Sequence, residues 1–86
     1  MRNRKLKIAP SFKKDLKKID VLVRADAKNK TNILLMNPIS TELNIKKLKG
    51  FQNKYRVVII KNHRMIYTFN KEELILVRIK HRKDIY

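Results

Sequence analysis

Basic side chains share even-numbered positions across the last third of this chain. Arg56, Arg64, Arg78 and Lys80 lie within three stretches rich in Val, Ile, Tyr and Phe, and Arg82 follows in the run His81-Arg82-Lys83-Asp84-Ile85-Tyr86. A guanidinium stays protonated and presents a fixed fork of donors, which suits phosphate oxygens that are merely held or that gain charge in a reaction. Cleavage of RNA through the ribose 2′-hydroxyl needs such donors around the phosphorane, together with a base and an acid for the leaving oxygen. On residue types alone, Arg56 and Arg64 suit catalysis as well as plain binding of phosphate or of a partner's acids. Metal chemistry has little to draw on. Cysteine is absent, the two histidines lack ligand spacing, and the seven acids are scattered.

Three predicted strands must position these groups, over about 55–60, 64–70 and 74–80. Successive side chains of a strand point to opposite faces. The odd positions Tyr55, Val57, Ile59, Met65, Tyr67, Phe69, Ile75, Val77 and Ile79 are all apolar or aromatic and form the expected core face. Tyr55 and Tyr67 read there as core residues with a polar edge. His81 shares that parity and reads as a packed neutral ring, His63 as an exposed turn residue. A loop Ile60-Lys61-Asn62 pairs Ile59 with His63, Asn62 supplying a left-handed residue, and keeps Arg56 and Arg64 on one face. A loop Lys71-Glu72-Glu73 sets Phe69 against Ile75 and Ile66 against Arg78. The resulting rows are Arg56–Ile66–Arg78 and Val58–Arg64–Lys80. A two-residue first loop would instead place Arg64 on the face of Ile59 and bury its charge.

Upstream, Lys5–Ala9 alternates around Leu6 and Ile8 as a short strand, broken by Pro10-Ser11, with Ser11 the expected N-cap. Phe12, Leu16 and Ile19 predict one apolar face on a helix over 12–19, opposite the solvated Lys13, Lys14, Lys17 and Lys18. Asp20 is expected to cap a second helix over 21–36 with Leu22, Ala25, Ile33 and Met36 inward, ended by Asn37-Pro38. Residues 39–53 read as a connection holding the only glycine, Gly50, and the cluster Lys46-Lys47-Leu48-Lys49. The order is βααβββ. It predicts an α+β fold, one domain over 1–86, with two helices on a twisted antiparallel sheet.

A chain of 86 residues buries roughly 60% of its unfolded surface. The formal charge of +16, from 23 basic and 7 acidic residues, points to a polyanionic partner, nucleic acid or an acidic protein. No apolar run approaches the roughly 20 residues of a membrane span. Met-Arg-Asn-Arg-Lys does not lead into a signal-peptide core, and an interfacial aromatic-basic helix is missing, so a cytoplasmic protein without membrane partners is expected.

The segments Lys46-Lys47-Leu48-Lys49-Gly50-Phe51, Tyr55-Arg56-Val57, His63-Arg64-Met65-Ile66-Tyr67 and His81-Arg82-Lys83-Asp84-Ile85-Tyr86 together resemble the RelE/ParE toxin superfamily. The family pattern is roughly KKLKG, YRIRV, YRIIY and HRREVY, in that order, and the likeness covers nearly the whole chain. It implies a small prokaryotic toxin of a toxin–antitoxin pair. RelE-like members cut mRNA in the ribosomal A site without metal, and ParE-like members inhibit DNA gyrase. Arg64 and Arg82 match transition-state arginines of the family, and Arg56 a basic position. Tyr86 matches a C-terminal tyrosine that acts as base or stacks on a base, and histidine-based members bring His81 into the catalytic set. Lys46, Lys47 and Lys49 resemble the loop that contacts ribosome or mRNA; Lys54, Arg78, Lys80 and Lys83 complete the expected binding set. Val58 departs from the pattern, which carries a second basic residue there.

These readings converge on a metal- and cofactor-free mRNA endonuclease toxin, with a gyrase inhibitor and a non-catalytic RNA-binding protein as alternatives. The resemblance also implies an acidic antitoxin, partly disordered alone, that adds an amphipathic helix and a strand. Such a partner neutralises the toxin by covering Arg56, Arg64 and Arg82 or by displacing the segment that carries Arg82 and Tyr86.

Overall fold

β-Branched and aromatic residues build one five-stranded sheet, and the segments between them cover it. The computed structural model describes residues 3–50 and 53–85; Phe51 and Tyr86 lie outside them. In chain order the elements are β1 (Lys5–Ile8), α1 (Pro10–Leu16), α2 (Val21–Met36), β2 (Ile45–Lys47), β3 (Lys54–Ile59), β4 (His63–Phe69), β5 (Glu73–His81) and α3 (Arg82–Ile85). The strand order is β1-β5-β4-β3-β2, antiparallel except for the parallel pair of β1 and β5. The α+β fold is the expected one, with two additions. β2 lies within the 39–53 connection and has one apolar residue, Ile45, and α3 is a single turn within the C-terminal run. Gly50 at φ 79° and Asn53 at φ 56° bend the chain from β2 back into β3.

The first hairpin forms as its sequence predicts. Ile59 opposes His63, and Lys61 and Asn62 both adopt left-handed backbone at φ 56° and 59°. The second does not. Phe69 opposes Leu74 rather than Ile75, because the Asn70 side chain accepts the N–H groups of Glu72 and Glu73 and closes a turn one residue shorter than expected. A β-bulge at Val77 then restores the register, so Ile66 faces Arg78 after all. The inward residues of β5 are therefore Leu74, Leu76 and Ile79, while Ile75 and Val77 are only half-buried.

The helices depart further from expectation. Ala9 is the N-cap of α1 and Pro10 its first residue. Ser11 instead donates its hydroxyl to the Val77 carbonyl at 2.6 Å. In α2 the buried stripe is Val23, Ala27, Thr31 and Leu34, while Leu22 and Met36 stay more than half exposed, Ala25 is exposed and Ile33 half-buried. Thr31 explains the shift. Its hydroxyl donates to the Ala27 carbonyl at 2.8 Å, so a polar residue can occupy the inner face. This stripe closes a single core with Phe12, Val57, Ile59, Met65, Tyr67, Leu74, Leu76 and Ile79. Tyr67 is fully buried and donates its phenol to the Pro38 carbonyl at 2.6 Å. Burial first, and then repulsion from Tyr55, pushes its pKa far up.

Asp20 caps α2 as expected. Its Oδ1 accepts from the N–H groups of Leu22 and Val23, and its Oδ2 from Lys61 Nζ at 2.9 Å. The Lys61 bond, followed by the Val23 bond, pulls its pKa down to about 2. A carboxylate whose folded pKa is depressed stabilises the fold above its unfolded pKa and loses that contribution as pH falls through the folded value. The melting temperature of the wild type should therefore exceed that of Asp20→Asn by a margin that shrinks between about pH 5 and pH 2. A margin that stays flat over this range would show that these contacts do not form in solution.

Candidate functional site

The bulge and the first hairpin bring the basic residues onto the sheet face away from the core. One row reads Lys46–Arg56–Ile66–Arg78 across four strands, and the next reads Val58–Arg64–Lys80. The first extends the expected row by Lys46, through β2. Residues paired in this way have Cβ atoms roughly 5 Å apart, and like charges directly opposite are destabilising. Arg64 against Lys80 is such a pair. Ile66 is buried between Arg56 and Arg78 and gives this face an apolar floor. Arg64 donates from Nη1 to the His63 carbonyl at 2.9 Å, and its buried Nε has no hydrogen-bond partner among the described residues. A buried cationic donor left open in this way is stabilised by an incoming anionic oxygen.

Arg82 opens α3 at the same end of the sheet as Arg64. Its side chain is exposed, and its backbone N–H donates to the Asn62 carbonyl at 2.7 Å, tying α3 to the β3–β4 loop. His63 and His81 face each other across β4 and β5, their rings edge to face with centroids 5.4 Å apart. Both are half-buried. His81 Nδ1 accepts from the Lys83 N–H at 3.2 Å, so the neutral ring carries its proton on Nε2. Lys83 itself is exposed.

The remaining expected residues divide. Lys54 shares the arginine face, two residues before Arg56, whereas Lys47 opposes Tyr55 on the other face and Lys49 lies exposed beyond β2. Arg78 is partly committed within the fold. Its Nε and Nη2 reach Asp15 at 2.9 and 3.2 Å, which raises its pKa chiefly through the hydrogen bond.

Asp15 is the residue that sequence reasoning passed over. It is 6% exposed, and its Oδ2 also accepts from the Ile79 N–H at 3.0 Å. β1 pairs with β5 only as far as Leu76, so the edge of β5 beyond it is left open. α1 meets two polar groups of that edge with side chains, Ser11 on the Val77 carbonyl and Asp15 on the Ile79 N–H, and adds no strand to it. The signal was present. Asp15 is the one acid among the α1 lysines and lies three residues after Phe12, on the buried side.

Among the described residues, no three His, Cys, Asp or Glu side chains gather into a metal-holding set, and no helix is long and apolar enough to cross a membrane.

Comparison with known proteins places the chain in a family. Residues 6–86 match the family described as the ParE toxin of the type II toxin–antitoxin system parDE. The chain is 35% identical to toxin RelE3 of Methanocaldococcus jannaschii, over 95% of its own length and 94% of the relative's. It is similar to a chain of the RelB–RelE antitoxin–toxin complex from Methanococcus jannaschii, with a TM-score of 0.76 and 34% identity over 93% of this chain and 94% of that one. In the archaeal RelE–RelB complex from Pyrococcus horikoshii the fold recurs at a TM-score of 0.77 and 20% identity, over 96% of this chain and 99% of that one. With the basic face, the helix pair and the sheet order all in place, the chain belongs to the RelE/ParE superfamily of toxins from type II toxin–antitoxin systems.

Proposed function

We propose that this toxin is a metal-independent endoribonuclease that cuts mRNA, in the ribosomal A site, and so halts translation in the cytoplasm. The observation that carries the reading is Arg64, a guanidinium with an open buried Nε, flanked by Arg56 on the same face and by Arg82 at the same sheet end. In the reaction the ribose 2′-oxygen bonds to phosphorus while the bond to the 5′-oxygen breaks. This leaves a 2′,3′-cyclic phosphate and a 5′-hydroxyl. The arginines take the charge that builds on the phosphorane oxygens. A base accepts the 2′-hydroxyl proton and an acid returns one to the 5′-oxygen. His81 is the candidate for the acid, a role that needs its imidazolium form and so the release of Nδ1 from the Lys83 N–H. Tyr86 is the matching candidate for the base.

The partner is an antitoxin, and the net charge of +16 calls for an acidic one. A gyrase inhibitor is the second reading, favoured by the ParE description of the matching family. Induction in cells separates the two. The endonuclease produces new 5′ ends inside translated reading frames, and purified cleavage persists in EDTA. Arrest of DNA replication with intact mRNA would replace this reading with the gyrase one.

A further inference from the structure

Two clefts meet along the open edge of β5. One, of about 580 Å³, lies between the end of α1 and the paired rings of His63 and His81. The other, of about 400 Å³, lies along α1 beside Ser11 and Arg78. Asp15, Lys18 and Lys80 line both, so the clefts run into one another around the strand edge. Their walls carry Lys14, Lys18, Arg78 and Lys80 against only two carboxylates, Asp15 and Asp84, and Asp15 is already occupied by Arg78. Lys14, Lys18 and Lys80 form no ion pair among the described residues. Lys80 is half-buried and sits directly opposite Arg64, so it joins the arginine face to this edge. Holding like charges together in this way is unfavourable for the free protein and favourable once a polyanion runs between them.

We infer that the RNA strand continues from the arginine face over the open edge of β5, with its phosphates held by Lys80, Lys18 and Lys14. The inference rests on the endonuclease reading and adds a binding path to it. It also divides the lysines of α1 and the turn after it. Lys14, on α1, and Lys18, in the turn that follows it, line the clefts, whereas Lys13 and Lys17 do not. A general attraction between a basic helix and RNA makes no such division.

The test uses a single-stranded oligoribonucleotide carrying 2′-O-methyl at every position, which removes the attacking hydroxyl. Its affinity for the full chain is measured over a series of salt concentrations. Lys14→Ala with Lys18→Ala should flatten the plot of log Kd against log salt by about 1.4, two phosphate contacts at roughly 0.7 each on a single strand. Lys13→Ala with Lys17→Ala, the same charge change in the same segment, should leave the slope near the wild-type value. Equal slopes for the two double variants, or no binding by the wild type, overturn the path. So does an unchanged RNA slope in Lys14→Ala with Lys18→Ala accompanied by weaker capture of the antitoxin, which would give this edge to the protein partner. Mapping of mRNA 5′ ends in cells judges the endonuclease separately, because cuts made by a protein with equal slopes leave that reading standing and remove only the path.

Discussion

Arg64→Ala and Arg82→Ala should each slow mRNA cleavage by on the order of 10²–10³-fold and release cells from growth arrest, since each removes a preorganised donor from the charge of the phosphorane. The structure gives the two losses different characters. Arg64 is half-buried, with Nη1 fixed on the His63 carbonyl and Nε held without a partner, so its fork is already aimed before substrate arrives. Lysine cannot reproduce that geometry, and Arg64→Lys should fail almost as fully as Arg64→Ala. Arg82 is exposed and positioned only through its backbone, so Arg82→Lys should retain part of the activity. Removing Arg64 also removes an unsatisfied buried donor and its repulsion with Lys80. Arg64→Ala should therefore melt no lower than the wild type while losing cleavage. Wild-type cutting by Arg64→Ala, read as 5′ ends in induced cells, would reduce the arginine face to a binding surface. A large fall in melting temperature would instead make Arg64 a residue of the fold.

The strands that carry this face were readable because alternation is a strong, local signal, and the first hairpin kept parity as Lys61-Asn62 required. The bulge at Val77 was not readable. Nothing in Leu76-Val77-Arg78 marks the extra residue, since its role is to reconcile the shorter Asn70 turn with the lower half of the sheet. The α2 stripe was misjudged because Thr31 reads as polar until its hydroxyl is seen bonded within the helix. β2 was missed because a three-residue edge strand of Ile-Lys-Lys carries no periodicity. At the site, Arg56, Arg64 and Lys80 were legible from parity and Arg82 from the family pattern. Asp15, which depends on where β1 stops along β5, is a property of the assembled sheet.

Asp15→Ala should cost about 2–3 kcal/mol of stability, measured by denaturant unfolding at neutral pH. The carboxylate is nearly fully buried and accepts three bonds, from Arg78 Nε, Arg78 Nη2 and the Ile79 N–H. Truncation leaves the backbone donor of Ile79 closed off from water, and that is the larger loss. The charge on Arg78 adds less than a fully buried cation would, because its side chain is 41% exposed and water screens it. Asp15→Asn keeps an acceptor for Ile79 and should lose about half as much. Combining Asp15→Ala with Arg78→Ala then separates the two contributions, and the pair should be less harmful than the sum of the singles. The same carboxylate seats α1 on the open edge of β5 and so fixes Lys14 and Lys18 beside Lys80. Asp15→Asn should accordingly retain the RNA salt slope of the wild type at temperatures where it remains folded. An Asp15→Ala protein as stable as the wild type would mean that burial of Phe12 and Ile19 alone holds α1 in place.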